Sequence, residues 1–310
     1  MIQTEGLTRR YGSLLAVDDL SFEVRPGEVL GFLGPNGAGK STTMRMLAGF
    51  VAPTAGRARI CGHDVSDQPI AAKRCLGYLP EGAPLYGEMS VGGFLKFIAT
   101  LRELAPERKR ARLDYVIQRL QLESVLSQSI ETLSKGFRRR VGLAQAILAD
   151  PPVLILDEPT DGLDPNQKAE VRGLIGEMSR DKLIVISTHI LEEVEAVCTR
   201  AMIIARGRCV ADDTPAALAA RSRYHGAVSF QVASSAELAL ARSGVAALPA
   251  AASVEVDERR QRVTVFPRET ADLLGAVAQL VGRSDFSVRG LALEAGRLDD
   301  VFRSLTAGGR

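Results

Sequence analysis

The sequence predicts an α/β fold: a phosphate-loop core with an antiparallel β part and a helical subdomain, then a small C-terminal α+β unit of the ferredoxin-like kind. Three observations predict it. A strand, a glycine-rich loop and a helix follow one another over residues 29–47. Two further apolar strands end in polar and acidic residues at 153–158 and 183–189. Beyond residue 224 the pattern becomes β-α-β-β-α-β, the split order of a ferredoxin-like unit.

The first segment is the most specific. Val29-Leu30-Gly31-Phe32-Leu33 is a short apolar run suited to a buried strand, and Ser41–Leu47 opens a helix. Between them Gly34, Pro35, Asn36, Gly37, Ala38, Gly39, Lys40 and Ser41 match G-x-x-x-x-G-K-[ST] in full, with Thr42 next in line. Glycines let the backbone curl so that successive N–H groups form a nest for phosphate oxygens, and a helix N-terminus favours an anion. Lys40 is then placed to reach the β- and γ-phosphates, and the Ser41 hydroxyl to ligate Mg²⁺.

Val153-Leu154-Ile155-Leu156 is an unbroken apolar stretch, as expected of a parallel strand buried on both faces. It delivers Asp157-Glu158 to a strand's C-terminal end, where open α/β sheets bind ligands. Neighbours on an extended chain point in different directions, so one acid is free to hold Mg²⁺ while the other addresses an attacking water. Leu183-Ile184-Val185-Ile186 delivers Ser187-Thr188-His189 to the same edge.

Over about residues 2–215 the chain resembles the ATP-binding subunit of ABC transporters. Gly34 to Thr42 resemble Walker A, and Val153 to Glu158 resemble Walker B with its catalytic glutamate. Asp161-Gly162-Leu163-Asp164 resembles the D-loop, and His189 the switch histidine. The resemblance implies that Glu158, His189 and Lys40 are catalytic, that ATP and Mg²⁺ are the cofactors, and that Ser41 and Asp157 hold the metal. Tyr11 sits where the family stacks an aromatic on adenine; read without the family, it is a turn aromatic packing locally.

Leu133-Ser134-Lys135-Gly136-Phe137 resembles the family's LSGGQ signature, departing at Lys135 and Phe137, and Arg139 stands where Gln is frequent. Ser134 suits an N-cap and Gly136 a close approach. The resemblance implies that this loop and Asp164 contribute to the nucleotide site, Ser134 facing the γ-phosphate held by a second copy, with Lys135 adding positive charge there. Val141, Ala144 and Leu148 form an apolar stripe that stops at Asp150-Pro151-Pro152. Glu81, after Leu76-Gly77-Tyr78-Leu79-Pro80, replaces the usual glutamine; its carboxylate is a further candidate ligand for metal or nucleotide-bound water, but donates no hydrogen bond when ionised. The Lys135 and Glu81 variants resemble the branch serving ABC-2-type exporters of drug, polysaccharide, copper-maturation and gliding-motility systems.

A length of 310 residues suggests about two domains. They are expected at 1–220, with the helical subdomain at about 82–150, and at 224–310. In the second, Val228, Phe230 and Val232 alternate with polar residues, Ala236–Arg242 reads helical, and Val254, Val256, Val263 and Val265 alternate around a turn at 257–260. Thr270–Val281 reads as a helix, and Phe286, Val288 and Leu291 as a last strand. Leu298–Thr306 is an amphipathic closing helix whose Val301, Phe302 and Leu305 offer an apolar docking face, which suits an accessory or regulatory role.

A net charge of +2 gives no bulk drive toward nucleic acid, and Arg138-Arg139-Arg140 reads as a solvated helix face. No stretch approaches the roughly 18 apolar residues that span a bilayer, and the N-terminus lacks a secretory pattern. Membrane work is therefore expected of a separate transmembrane permease subunit. This chain would be cytoplasmic, a homodimer held peripherally on the inner face of the membrane. The four cysteines lack C-x-x-C spacing and read as reduced structural thiols. An ABC ATPase acting on a ribosome or DNA complex is the alternative. It fits less well, because the chain has one Walker A and no extended heptads.

Overall fold

The computed structural model describes residues 1–268, 272–283 and 287–306, so Thr270 and Phe286 lie outside the described residues. The chain forms two compact units, Met1–Pro215 and Ala216–Arg310.

The first unit opens with β1 (Ile2–Tyr11) and β2 (Leu14–Val24), paired antiparallel with Ile2 opposite Val24. β3 (Val29–Leu33) is buried throughout and leads through the glycine loop into α1 (Lys40–Leu47). β4 (Ala55–Ile60) and the short β5 (His63–Asp64) complete an antiparallel sheet in the order β2-β1-β4-β5. After α2 (Pro69–Arg74) and β6 (Leu76–Leu79) come α3 (Val91–Leu101), α4 (Pro106–Arg119) and α5 (Lys135–Ile147), all within the stretch expected to be helical. The chain then alternates through β7 (Val153–Asp157), α6 (Pro165–Met178), β8 (Leu183–Thr188) and α7 (Leu191–Val197). It ends with the hairpin β9 (Arg200–Ala205) and β10 (Arg208–Asp213).

The second sheet runs β10-β9-β3-β8-β7-β6, parallel from β9 to β6. Every residue of β7 and β8 is buried, which is why both read as unbroken apolar runs without alternation. Met44, Met46 and Leu47 of α1 share one buried cluster with Ile2, Leu7 and Leu20 of the antiparallel sheet and Leu30 and Phe32 of β3. The Phe22 and Phe32 rings meet edge-on, 5.2 Å between centroids. Each such side chain contributes about 1.5–3 kcal/mol when fully buried, so α1 is wedged between two sheets and the loop before it is fixed.

α5 is buried on more than a stripe: Val141, Gly142, Leu143, Ala144, Ala146 and Ile147 are all inside. The solvated-face reading of Arg138-Arg139-Arg140 holds only for Arg138. Arg139 is 4% exposed and Arg140 6%, because their guanidinium groups find acceptors within the fold.

In the second unit α8 (Pro215–Ala219) starts at the boundary. β11 (Val228–Val232), α9 (Ser235–Ala246), β12 (Ala251–Asp257), β13 (Arg262–Pro267), α10 (Leu273–Val281) and β14 (Val288–Leu293) follow, then α11 (Leu298–Thr306). The strands form an antiparallel sheet in the order β12-β13-β11-β14. Val228, Phe230 and Val232 pack with Leu238, Ala241, Val245 and Val277 of the two helices. In α11, Val301 is 3% exposed, so it belongs to the interior and not to the docking face expected of it; Phe302 and Leu305 are half-buried. Ser222 Oγ donates to Asp300 at 2.8 Å, Arg223 pairs with Glu255 at 2.7 Å, and the Arg297 guanidinium lies 3.8 Å from the Tyr224 ring centroid. These ties hold residues 222–224 in the second unit.

Candidate active site

The glycine loop joins β3 to α1. Gly39 has φ +106°, and a Cβ there would lie 2.4 Å from the Ala16 carbonyl oxygen; one on Gly34 would lie 2.5 Å from that of Ile204. Both positions therefore exclude a side chain. Lys40 is 6% exposed, and its ammonium donates to the carbonyls of Gly34 (2.6 Å) and Pro35 (3.1 Å), bending back over the loop. Burial pushes its pKa down, against the pull of Glu158, Asp157 and Glu81. Three carboxylates therefore surround one desolvated ammonium.

Ser41, in the first turn of α1, lies between two of those acids. Its Oγ is 3.4 Å from Asp157 Oδ1 and 3.4 Å from Glu81 Oε2. Asp157 is 1% exposed; Oδ1 accepts from the Ser187 hydroxyl, while Oδ2 finds no hydrogen-bond partner among the described residues. Tyr78, on β6, also has a buried hydroxyl without a partner among them. Burial, with Asp157's charge adding to it, pushes that phenol up to about 12. An unpartnered buried carboxylate oxygen costs several kcal/mol unless a cation or donor reaches it, and Mg²⁺ takes one or two carboxylates plus hydroxyl, water and phosphate oxygens. Asp157 with Ser41 fits that donor set.

Glu158 adopts φ +50°, the left-handed region, and its N–H donates to the Ser187 carbonyl at 3.0 Å. From this turn its carboxylate meets His189, whose Nδ1 lies 2.8 Å from Glu158 Oε1. An ionised carboxylate only accepts, so Nδ1 carries the proton in this contact. His189 is held by its predecessor: Thr188 Oγ1 accepts from the Ile190 N–H at 3.0 Å and donates to Glu193 at 2.8 Å. The other Glu193 oxygen accepts from Thr160, at the start of the loop carrying Asp161-Gly162-Leu163-Asp164.

Ser134 caps α5, accepting from the Phe137 N–H at 3.3 Å, with Gly136 buried in the first turn. Lys135 turns back within its own chain: Nζ lies 2.9 Å from Asp161, and its stem covers Gly162, where a Cβ would meet Lys135 Cδ at 2.6 Å. That hydrogen bond holds the Asp161 carboxyl below its usual range. Asp164 is occupied as the N-cap of α6, accepting from Gln167 N–H at 2.9 Å. Tyr11 ends β1 with the Arg9 guanidinium 4.4 Å from its ring centroid. Lys40, Ser41, Glu81, Asp157, Glu158 and His189 thus converge, whereas Tyr11, Ser134 and Asp164 make the contacts just described elsewhere.

Sequence reasoning missed three contributors. Ser187 was read as a passenger on the strand that delivers His189. Glu193 was hidden among Glu192 and Glu195, although it alone shares a helix face with Val197. Arg139 donates to the carbonyls of Pro80 (3.0 Å), Asp157 and Glu158, and nothing in its neighbours in sequence signals that.

Comparison with known proteins gives a consistent result. The ABC transporter family profile matches residues 17–161. The Nod factor export ATP-binding protein I of Paraburkholderia xenovorans (strain LB400) is 39% identical over 224 residues, covering 71% of this chain and 72% of that protein. The daunorubicin resistance ATP-binding protein DrrA3 of Streptomyces coeruleorubidus is 34% identical over 313 residues, spanning 100% of this chain and 96% of that protein. A solved ATP-binding subunit of an ABC transporter superposes with a TM-score of 0.67 at 32% identity, covering 70% of this chain and 91% of its own.

Proposed function

The chain belongs to the ABC transporter family as an ATP-binding subunit, and on that premise we propose that it hydrolyses ATP to drive export through a separate transmembrane permease. The contact between His189 and Glu158, 2.8 Å apart beside Lys40 and Asp157, carries this reading. The names of the two relatives, one for Nod factor export and one for daunorubicin resistance, support the direction of transport. No helix among the described residues is long and apolar enough to cross a membrane, which agrees with a chain that works from the inner membrane face on a separate permease.

The residue roles follow from chemistry. Gly34, Asn36, Gly37, Ala38 and Gly39 cradle the phosphates through main-chain N–H groups, with Pro35, which has no N–H, shaping the loop and Thr42 at the helix start. Lys40 exchanges its loop carbonyls for phosphate oxygens. Ser41 and Asp157 would hold Mg²⁺, with Glu81 on the far side of the Ser41 hydroxyl; when bound, the ion neutralises phosphate charge. Glu158 accepts the proton of the attacking water, and His189 orients it and faces the γ-phosphate. Tyr11 stacks on adenine. Two copies face each other, each Ser134, Gly136 and D-loop reaching the nucleotide of the other, a self-complementary two-fold arrangement. Positioning and charge neutralisation supply most of the catalysis in phosphoryl transfer.

Glu158→Gln tests the assignment. It removes the base and one negative charge beside the γ-phosphate, so turnover is expected to stop while Mg-ATP remains bound and drives a doubled mass in light scattering. A monomeric variant with full turnover would eliminate Glu158 as the base.

A further inference from the structure

We propose that Arg139 is a positioning residue for hydrolysis: its guanidinium locks the N-terminal part of α5 to the main chain of Glu158 and of the Pro80-Glu81 turn, so that these segments move together. The inference rests on the reading of Glu158 as the base.

The geometry is specific. One terminal nitrogen of Arg139 donates to the Pro80 carbonyl at 3.0 Å, and the other donates to the carbonyls of both Asp157 and Glu158. Three acceptors from two separate strand ends thus converge on one planar fork, which only arginine provides. The side chain is 4% exposed. Burial pushes the guanidinium's pKa down, while Asp161, Asp157, Glu158 and Glu81 pull it back up, so the cation lies beneath the acids that the nucleotide site needs. Keeping a cation there is costly unless its donors are satisfied; carbonyls satisfy both terminal nitrogens, while Nε is buried without a partner among the described residues.

The contact lands where the backbone is strained. Glu158 has φ +50°, a conformation that a non-glycine residue keeps only when its surroundings over-determine it. Its N–H is held by the Ser187 carbonyl at 3.0 Å, and its C=O accepts from Arg139 and from the Asp161 N–H at 3.1 Å. Without Arg139 only the Asp161 N–H still holds that carbonyl, so the peptide is less constrained and the carboxylate's alignment on His189 loosens. Arg139 lies five residues along α5 from Ser134, or roughly 7.5 Å at the helical rise. A displacement of Ser134 is thereby delivered to Glu158 of the same chain.

The test uses the full-length protein and three variants. Arg139→Met removes charge and donors but keeps volume; Arg139→Gln keeps two donors on a planar group; Arg139→Lys keeps the charge and three donors at one point but loses the planar fork that spans both strand ends. Turnover of the unaltered protein is measured first, since its absence would refute the ATPase reading and leave Arg139 beside the point. Given turnover, kcat of Arg139→Met is expected to fall about tenfold to a hundredfold, the scale of a misplaced catalytic group. Binding of a non-hydrolysable ATP analogue should change by less than about threefold, because the cradle sits on other elements. Arg139→Gln should recover more kcat than Arg139→Lys. In a Glu158→Gln background, Arg139→Met should lower the residual single-turnover rate little further. Unchanged kcat, a parallel loss of kcat and analogue binding, full rescue by lysine, or additivity with Glu158→Gln would each overturn the proposal. If Arg139→Met fails to fold, Arg139→Gln is judged by the same split between kcat and binding.

Discussion

Replacing Glu193 tests whether the loop of His189 and the loop of Asp161 are set by one buried carboxylate. Glu193 is 6% exposed and accepts from the hydroxyls of Thr160 and Thr188. Glutamine keeps the shape but has a single acceptor oxygen, so one hydroxyl loses its partner and meets an NH₂ group instead. A hydrogen bond to a charged acceptor is worth about 1.5–3 kcal/mol, partly offset because a buried carboxylate no longer has to be desolvated. The expected net loss in Glu193→Gln is about 1–2 kcal/mol, or roughly 2–8 °C in Tm for a unit of this size. Glu193→Ala should cost more, since both hydroxyls then face a cavity lined by Ile175, Ile186 and Cys198. Thr188 Oγ1 also accepts from the Ile190 N–H, so the turn presenting His189 loosens with it. Turnover should drop about tenfold with ATP affinity within threefold, because the cradle lies on another element. Scanning calorimetry and steady-state kinetics on Glu193→Gln decide the matter. Wild-type melting and wild-type kcat together would show that the carboxylate positions nothing.

Other perturbations separate the remaining roles. Lys40→Ala should abolish turnover and weaken ATP binding about tenfold to a hundredfold, the value of a lost charge-assisted contact; unchanged affinity by isothermal titration would refute the site. Lys135→Ala releases Asp161, and with side chains 65% and 44% exposed the pair contributes less than about 1 kcal/mol to stability. Its expected effect is a small rise in the ATP needed for dimer closure that fades with salt, matched by Asp161→Asn; a large effect without that match would place Lys135 against the partner's phosphates instead. A chain ending at Pro215 should fold and bind ATP, because every cradle residue precedes that point, yet form less ATP-dependent dimer. A folded truncation that binds no ATP would show that the second unit helps to build the site.

The parts legible in the sequence are those whose chemistry is local. The loop from Gly34 to Ser41 carries its own turn requirements, β7 and β8 carry their two-sided burial, and Ser134 caps the helix that begins beside it. The contacts that were not legible join residues far apart in the chain. Lys135, expected to add positive charge toward a second copy, pairs within its own chain with Asp161, 26 residues on. Arg139 looked solvated because a run of three arginines, though flanked by Phe137 and Val141, reads as a charged helix face. Its acceptors are main-chain oxygens 59, 18 and 19 residues away, and the identities of residues do not encode where carbonyls point.

That failure has a physical pattern. The C-terminal edge of a parallel sheet is where strands stop pairing, so carbonyls of the last residues lose their ladder partners as the chain turns away. In this chain those same strand ends, at Leu79-Pro80 and Asp157-Glu158, also carry the acids of the site. An edge rich in carbonyls and carboxylates is a place of negative potential, and a buried cation suits both at once. Arg139 and Lys40 fill that need from opposite sides, one through Pro80, Asp157 and Glu158 and the other through Gly34 and Pro35. They differ in what a ligand can do to them. Lys40 rests on loop carbonyls that phosphate oxygens can replace, whereas Arg139 is buried against main-chain carbonyls at two strand ends. The first is therefore the mobile charge of the site and the second its fixed one, which is why Lys40 substitutions should appear in binding as well as turnover and Arg139 substitutions in kcat alone.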